Sequence, residues 1–369
     1  MPQLVILAGI IAAVVIHEGA HFVAAKTFGM QATQAFFGFG PTLWSTRRGE
    51  TEYGIKLLPL GGFVRITGMN LAETVDPAIE HRTYRGKPFS QKFMVVLAGI
   101  LANLLLAFLL LYAVVVGFGI RDPSRPLVGE VVATLEDGTP TPASQADIQQ
   151  GDRVLAIDGV AVKSWEQVID HVSARAGQPI TFLLGRQDRE IEVVVTPASI
   201  PSGDTVSGFV GLGGDFEVDR PDPIAGVVRA GEVFADQVGA TVIGFGRFLW
   251  PPNLVGTFGD AISGREIDLE QRPSTPIGIV RIGSRIQERF GWEGLLAVLS
   301  SFNLVVALFN VLPFYPLDGG HAAVAIYERV KGRPVNPDRL LPVAAMVVSL
   351  FVLIFLLGLF LDITRPFDL

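Results

Sequence analysis

Val14-Val15-Ile16-His17-Glu18-Gly19-Ala20-His21-Phe22 puts three ionisable side chains inside an apolar run from about Leu4 to Ala25, and resolving that conflict decides the fold. A helix of such length can cross a bilayer, where ionisable groups are costly and need a compensating reason. Positions four apart share one helical face, so both imidazoles can hold a single metal ion. Glu18, one step round, would sit beside that ion. The plainer alternative is a core or capping histidine pair next to a salt-bridged glutamate. The run has no Lys or Arg ahead of it, and cleavage as a leader would cut away the motif, so it is expected to be retained.

The rest of the composition agrees with a membrane chain. Of 369 residues 49 % are apolar and 18 % charged, and the mean hydropathy is +0.45. Cysteine is absent, so a metal must rest on His, Asp and Glu. A formal charge of -7 without a basic run argues against a nucleic-acid partner.

Four stretches are long enough to span: about Leu4 to Ala25, Phe93 to Ile120, Gly294 to Leu317 and Leu340 to Leu361. The Lys26 to Lys92 connection carries nine Lys/Arg, and Tyr327 to Arg339 carries Arg329, Lys331, Arg333 and Arg339. The positive-inside rule places both in the cytoplasm, with the middle segment and both termini outside.

Between the first two spans, Gln31 to Phe39 and Tyr53 to Val64 read as short apolar strands with glycine turns. Non-helical backbone at membrane depth must pack on protein or line a wet cavity, and a sheet dipping beside the metal would do so. A solvent-side hairpin is the alternative. In the second span, Gly99 and Asn103 on one helical face suit close helix packing, with a contact to the metal site as the second reading. Pro223 to Leu249 has apolar residues at helical spacing and suits a helix lying along the membrane surface.

The third span supplies a further ligand. After Asn303 and Asn310 come Pro313-Phe314-Tyr315-Pro316-Leu317-Asp318-Gly319-Gly320-His321, where two prolines stop the helix just before a carboxylate. Catalytic zinc takes three protein ligands and an open position, so Asp318 is the expected third ligand and His321 the second choice. As a helix N-cap, Asp318 would have no metal role.

Two resemblances emerge from these residues. Ala143 to Gly159, with Gln150-Gly151-Asp152-Arg153-Val154-Leu155-Ala156-Ile157-Asp158-Gly159, resembles a PDZ domain, which accepts a peptide as an added strand. Its groove is expected between Leu127 to Val132 and Trp165 to Ala174, and Arg121 to Pro126 shows no obvious carboxylate loop. The motif at His17 to His21, Gly38-Phe39-Gly40, Pro59 to Gly62, Gly99 to Asn103, Thr275 to Val280 and Asn310 to Gly320 together resemble the site-2 protease family of intramembrane zinc proteases. The likeness is greatest to the bacterial branch with an extracytoplasmic PDZ insert, although relatives often carry two such domains. The Gly40 to Glu50 run is similar to actinobacterial members.

That resemblance implies a polytopic α-helical membrane protein of about four transmembrane helices, with a short membrane-inserted β-sheet and an extracytoplasmic α+β PDZ domain. The divisions expected are 1–120 (sheet at about 31–66), 121–198 for the PDZ domain, 199–291 for a linker with the membrane-surface helix, and 292–369. It implies one Zn2+ per chain on His17, His21 and Asp318, with Glu18 as general base. Asn310, Gly38, Gly40, Ile55, Leu57 and Pro313 would serve substrate binding, with pairing along the edge at Ile55 to Leu58 or at Gly38 to Gly40. Partners would be the lipid bilayer and a single-pass membrane protein resembling an anti-sigma factor, or a remnant signal peptide, in the bacterial cytoplasmic membrane. The competing readings are a catalytically silent scaffold that gathers partners on its PDZ domain, and a metal carrier. Oligomeric state and the trigger for substrate entry have no signature in the chain.

Overall fold

The computed structural model describes residues 2–70, 73–135, 138–187, 189–202, 205–265, 267 and 272–365. It divides into two compact units, one of residues 1–114 with 224–369 and one of residues 115–223.

In the first unit, helix α1 (Pro2–Thr27) buries Ile6, Ile10, Ala13, His17, His21 and Ala25. Those positions recur every three or four residues and form a single stripe, so the metal motif lies on the face that packs inward. Leu295 and Leu299 of a later helix meet Ile6 and Ile10 there. In a bilayer the lipid tails are as apolar as leucine, so this contact is held by van der Waals fit and interhelical hydrogen bonds.

Strands β1 (Ala32–Arg48) and β2 (Thr51–Ile66) follow. They pair antiparallel, but their register is doubled: Ala35, Phe36 and Phe37 face Val64, Phe63 and Gly62 on one flank and Tyr53, Gly54 and Ile55 on the other. The two long strands thus fold into four segments, ordered 42–48, 51–56, 32–37 and 62–66. Gly38 permits the bend, with φ +91 and a position where a Cβ would come 2.8 Å from the Leu58 carbonyl oxygen. The two brief strands expected from the sequence are here one sheet whose open flanks are 42–48 and 62–66. Its turn is tied down by Glu50, which pairs with Lys26 at the end of α1 and with Arg82 at 2.7 Å. Burial opposes the charge on Glu50, but hydrogen bonds from Lys26 and Arg82 outweigh it and hold the carboxyl below its ordinary range. Helix α2 (Phe89–Gly117) completes this part.

The second unit is a six-stranded sheet with flanking helices. Its elements are β3 (Ile120–Val131), α3 (Pro142–Gln145), β4 (Arg153–Ile157), β5 (Val160–Ala161), α4 (Trp165–Ser173), β6 (Ile180–Arg186) and β7 (Arg189–Val195), then the hairpin β8 (Ala198–Ser202) and β9 (Thr205–Phe209), and β10 (Leu212–Asp219). The strand order is β10-β3-β4-β6-β7, with β5 on β4. Val154 and Ile157 of β4 and the alternating Ile180, Phe182 and Leu184 of β6 bury in one cluster with Val168 and Val172 of α4. Each such side chain is worth about 1.5–3 kcal/mol when taken from water.

Two sequence expectations are corrected here. The unit runs on to Pro223 rather than closing at 198, because β10 returns to pair with β3, from Leu212 opposite Val131 to Asp219 opposite Ile120. For the same reason Leu127 to Val132 cannot form an open groove wall: β3 has β10 on one side and β4 on the other, and β10 is the edge. The indole of Trp165, at the start of α4, lies over Gly214 of that edge strand.

The chain then returns to the first unit through α5 (Pro223–Leu249), α6 (Pro251–Ser263), α7 (Pro276–Val311), α8 (Asp318–Lys331) and α9 (Pro337–Thr364). Helix α6 was not anticipated. Helix α7 breaks at Gly291, whose φ of 65 is outside helical range, so its second part starts close to the expected Gly294 and a further helical stretch from Pro276 precedes it. It stops at Val311, two residues before Pro313, as a proline's missing donor and ring clash require. Among the described residues, α1, α2, α7 and α9 are long and apolar enough to cross a membrane.

Candidate active site

The N-terminus of α8 is folded back under α7 by the Pro313 to Leu317 turn, and this brings Asp318 to the buried stripe of α1. Asp318 Oδ2 lies 3.3 Å from His17 Nε2 and 3.1 Å from His21 Nε2. The two Nε2 atoms are 3.2 Å apart. Three donors at the corners of a tetrahedron around zinc, with bonds near 2.0–2.1 Å, stand about 3.3 Å apart. The donor set therefore fits that ion, with nitrogen and oxygen ligands and no thiolate. His17, His21 and Asp318 are the one group of three ligand side chains converging within 4.8 Å among the described residues. His321 is not in it.

The outer ring nitrogens bear on the same question. His21 Nδ1 donates to the Val95 carbonyl at 2.8 Å, which leaves Nε2 with its lone pair toward the ion. His17 Nδ1 is 3.2 Å from the Asn103 amide nitrogen, while Asn103 Oδ1 is buried with no partner. Turning the amide over gives Oδ1 the His17 Nδ1–H and frees Nε2 of His17 in the same way. Asn103 is thus a contact of the metal site, the reading ranked second from sequence. Gly99, one turn before it, lets α2 approach: a Cβ there would fall 2.2 Å from His21 Nε2.

Glu18 is not one of the three donors but sits beside them and also lines a cavity against the sheet. Gly62 lies beside its Cγ, and Phe63 and Val64 line the same cavity as its side chain. That cavity, of about 350 Å3, is lined by Val14 and Phe22 of α1 and by Phe36, Trp44, Tyr53, Ile55 and Phe63 of the sheet. An apolar slot with one carboxylate can seat a greasy peptide and take a proton in it.

The remaining expected residues are dispersed around this centre. Ile55 lines the cavity, but its backbone is paired on both flanks, with Phe37 and Trp44, so it is not an open edge. Gly38 and Gly40 form the bend between strand segments, at φ 91 and 83. Leu57 is 52 % exposed. The Asn310 amide donates to the Val306 carbonyl of its own helix at 3.1 Å, and Pro313 is exposed in the turn before Asp318. His321 faces Tyr315 and Tyr84 instead of the metal donors. Burial pushes its imidazole down to about 4, against the attraction of Asp318. A sheet beside the metal was expected, but its open flank near Glu18 is 62–66 rather than Ile55 to Leu58 or Gly38 to Gly40.

The profile of peptidase family M50 matches residues 5–356. Zinc metalloprotease Rip1 of Mycobacterium tuberculosis is 32 % identical over 398 residues, covering 98 % of this chain and 96 % of its own. A putative zinc metalloprotease of a Nostoc species is 32 % identical over 100 % of this chain and 97 % of its own. Zinc metalloprotease RasP of Geobacillus kaustophilus is 26 % identical over 96 % of each.

Proposed function

We propose, from the premise that this chain belongs to peptidase family M50 and is a zinc metalloprotease, that it hydrolyses peptide bonds within the transmembrane segments of other membrane proteins. The substrate class is a single-pass protein resembling an anti-sigma factor, or a remnant signal peptide. The chain would sit in the bacterial cytoplasmic membrane with its termini and the 115–223 unit, read as a PDZ domain, on the extracytoplasmic side.

His17, His21 and Asp318 would hold Zn2+, which when bound acidifies a water and polarises the scissile carbonyl. Glu18 takes the proton of the attacking water and passes it to the leaving amine. A transmembrane helix hides its peptide bonds in its own hydrogen bonds, so the substrate has to unwind before attack. The open flank of 62–66 then replaces the lost bonds by strand addition, and the 350 Å3 cavity takes apolar side chains.

The observation that carries this reading is the cavity that Glu18 shares with Gly62, Phe63 and Val64 of the open strand, Gly62 lying against the Glu18 Cγ. It joins an open strand edge to the general base, as peptide hydrolysis requires and as a scaffold or a metal carrier does not. The test is Glu18→Gln in the full-length protein. Zinc content should match wild type while cleavage of a transmembrane reporter falls by about 100-fold or more, the usual worth of a general base. Undiminished cleavage would remove Glu18 from its role.

A further inference from the structure

The sheet segment 62–66 has one flank on 32–37 and no ladder partner on the other among the described residues. Along that open flank runs a trough of about 370 Å3, walled on the near side by Phe63, Val64, Arg65 and Ile66 and on the far side by Tyr315 and His321. His321 is one helical turn beyond Asp318, so it shares the face of α8 that carries the metal ligand. Its ring lies 4.8 Å from that of Tyr315 and 6.3 Å from that of Tyr84. No hydrogen bond to either His321 ring nitrogen is found among the described residues, and the ring lines the trough; the Tyr84 hydroxyl is buried without a partner. Polar groups in such a place are ordinarily paired, and each exception calls for a reason.

A peptide in extended form has two polar edges. Pairing along 62–66 satisfies one of them and leaves the other facing the Tyr315–His321 wall, in a setting where water is scarce. A neutral imidazole brings one donor and one acceptor. We propose that His321 is a substrate-binding residue, whose ring nitrogen takes a main-chain group on the outer edge of the unwound peptide next to the scissile bond. The ligand is peptide backbone, so the contact is indifferent to side-chain identity. This rests on the proteolytic reading above, and it gives the second wall of the trough a task that metal binding leaves vacant.

The experiment compares full-length wild type with His321→Ala and His321→Gln, reading zinc content, KM and kcat on a transmembrane reporter. It then uses reporters in which single amides flanking the cut are replaced by esters. His321→Ala should keep wild-type zinc and raise KM about tenfold, the order of one net hydrogen bond, with a smaller effect on kcat. His321→Gln, which retains a donor and an acceptor, should recover most of the loss. One ester position should cost wild type about tenfold and cost His321→Ala nothing further. Equal ester penalties in both proteins would overturn the proposal, as would loss of zinc from His321→Ala. If wild type cuts no reporter, the proteolytic reading falls and takes this one with it; cleavage with equal penalties removes His321 alone.

Discussion

Asp318 Oδ2 approaches His21 Nε2 to 3.1 Å although the two residues are 297 positions apart in the chain. Neither residue binds a metal well by itself, so the site exists only where the first and third spans meet. Asp318→Asn exchanges an anionic ligand for a neutral one. Changes one shell further out typically cost 10–100-fold in metal affinity, and this one should cost more, measured as zinc per chain after dialysis against a chelator. Equal zinc in both proteins would remove Asp318 from the ligand set.

Asn103→Leu leaves the His17 Nδ1–H without its acceptor and the ring without its anchor. Zinc affinity should fall by about 10–100-fold, while Asn103→Asp, which keeps the accepting oxygen, should stay near wild type. Competition with a chromophoric chelator separates the two.

Gly99→Ala places a methyl group 2.2 Å from His21 Nε2, inside contact distance of a rigid ring rather than a flexible tail. Helix α2 has to back away, so zinc and activity should be lost together while helix content by circular dichroism is retained. Ala at Gly117, where a Cβ meets nothing within 4 Å, is the control and should change neither.

The end of α9 is fixed to the start of α7 by a buried ion pair. Asp362, 1 % exposed, accepts from the Thr275 N–H at 2.8 Å and hydroxyl at 2.7 Å, and lies 3.5 Å from Arg272. Removing one partner strands the other, so Asp362→Ala should cost about 3–5 kcal/mol in unfolding free energy. The double change Asp362→Leu with Arg272→Met should cost clearly less, because neither charge is then left buried.

Glu50 gives the sheet's turn a pH dependence. Its folded pKa is lower than its unfolded value of about 4.5, so its contribution is full above 4.5 and is lost as pH falls through the lowered folded value. Proteolytic nicking near Gly49 should therefore rise in wild type only below about 4.5. In Glu50→Gln it should be raised at neutral pH, with little further change on acidification.

Much of the site was readable before any coordinates. His17, Glu18 and His21 stand out because charge is expensive in an apolar run, and Asp318 because two prolines end a helix just before it. Asn103 was visible but read first as a packing residue, since an amide on a transmembrane face ordinarily serves helix packing until its neighbour is known. The expected edge at Ile55 failed for a topological reason: local alternation marks a strand but not its partners, and here the partners are Phe37 and Trp44.

The same limit explains the second unit. The Gly151-Asp152 turn and alternating strands 180–195 are local, so a soluble module was legible; the return of β10 to β3 joins residues some ninety positions apart and leaves no short-range periodicity. The sequence by itself determined the four apolar spans, the two imidazoles on one helical face and the carboxylate after the prolines, because each follows from solvation cost or helical period within a few turns. Only the tertiary structure decided which strand edge reaches Glu18, which amide holds His17 and where His321 faces. Those depend on distant backbones approaching to within a hydrogen bond, and that distance is not written in any one stretch of chain.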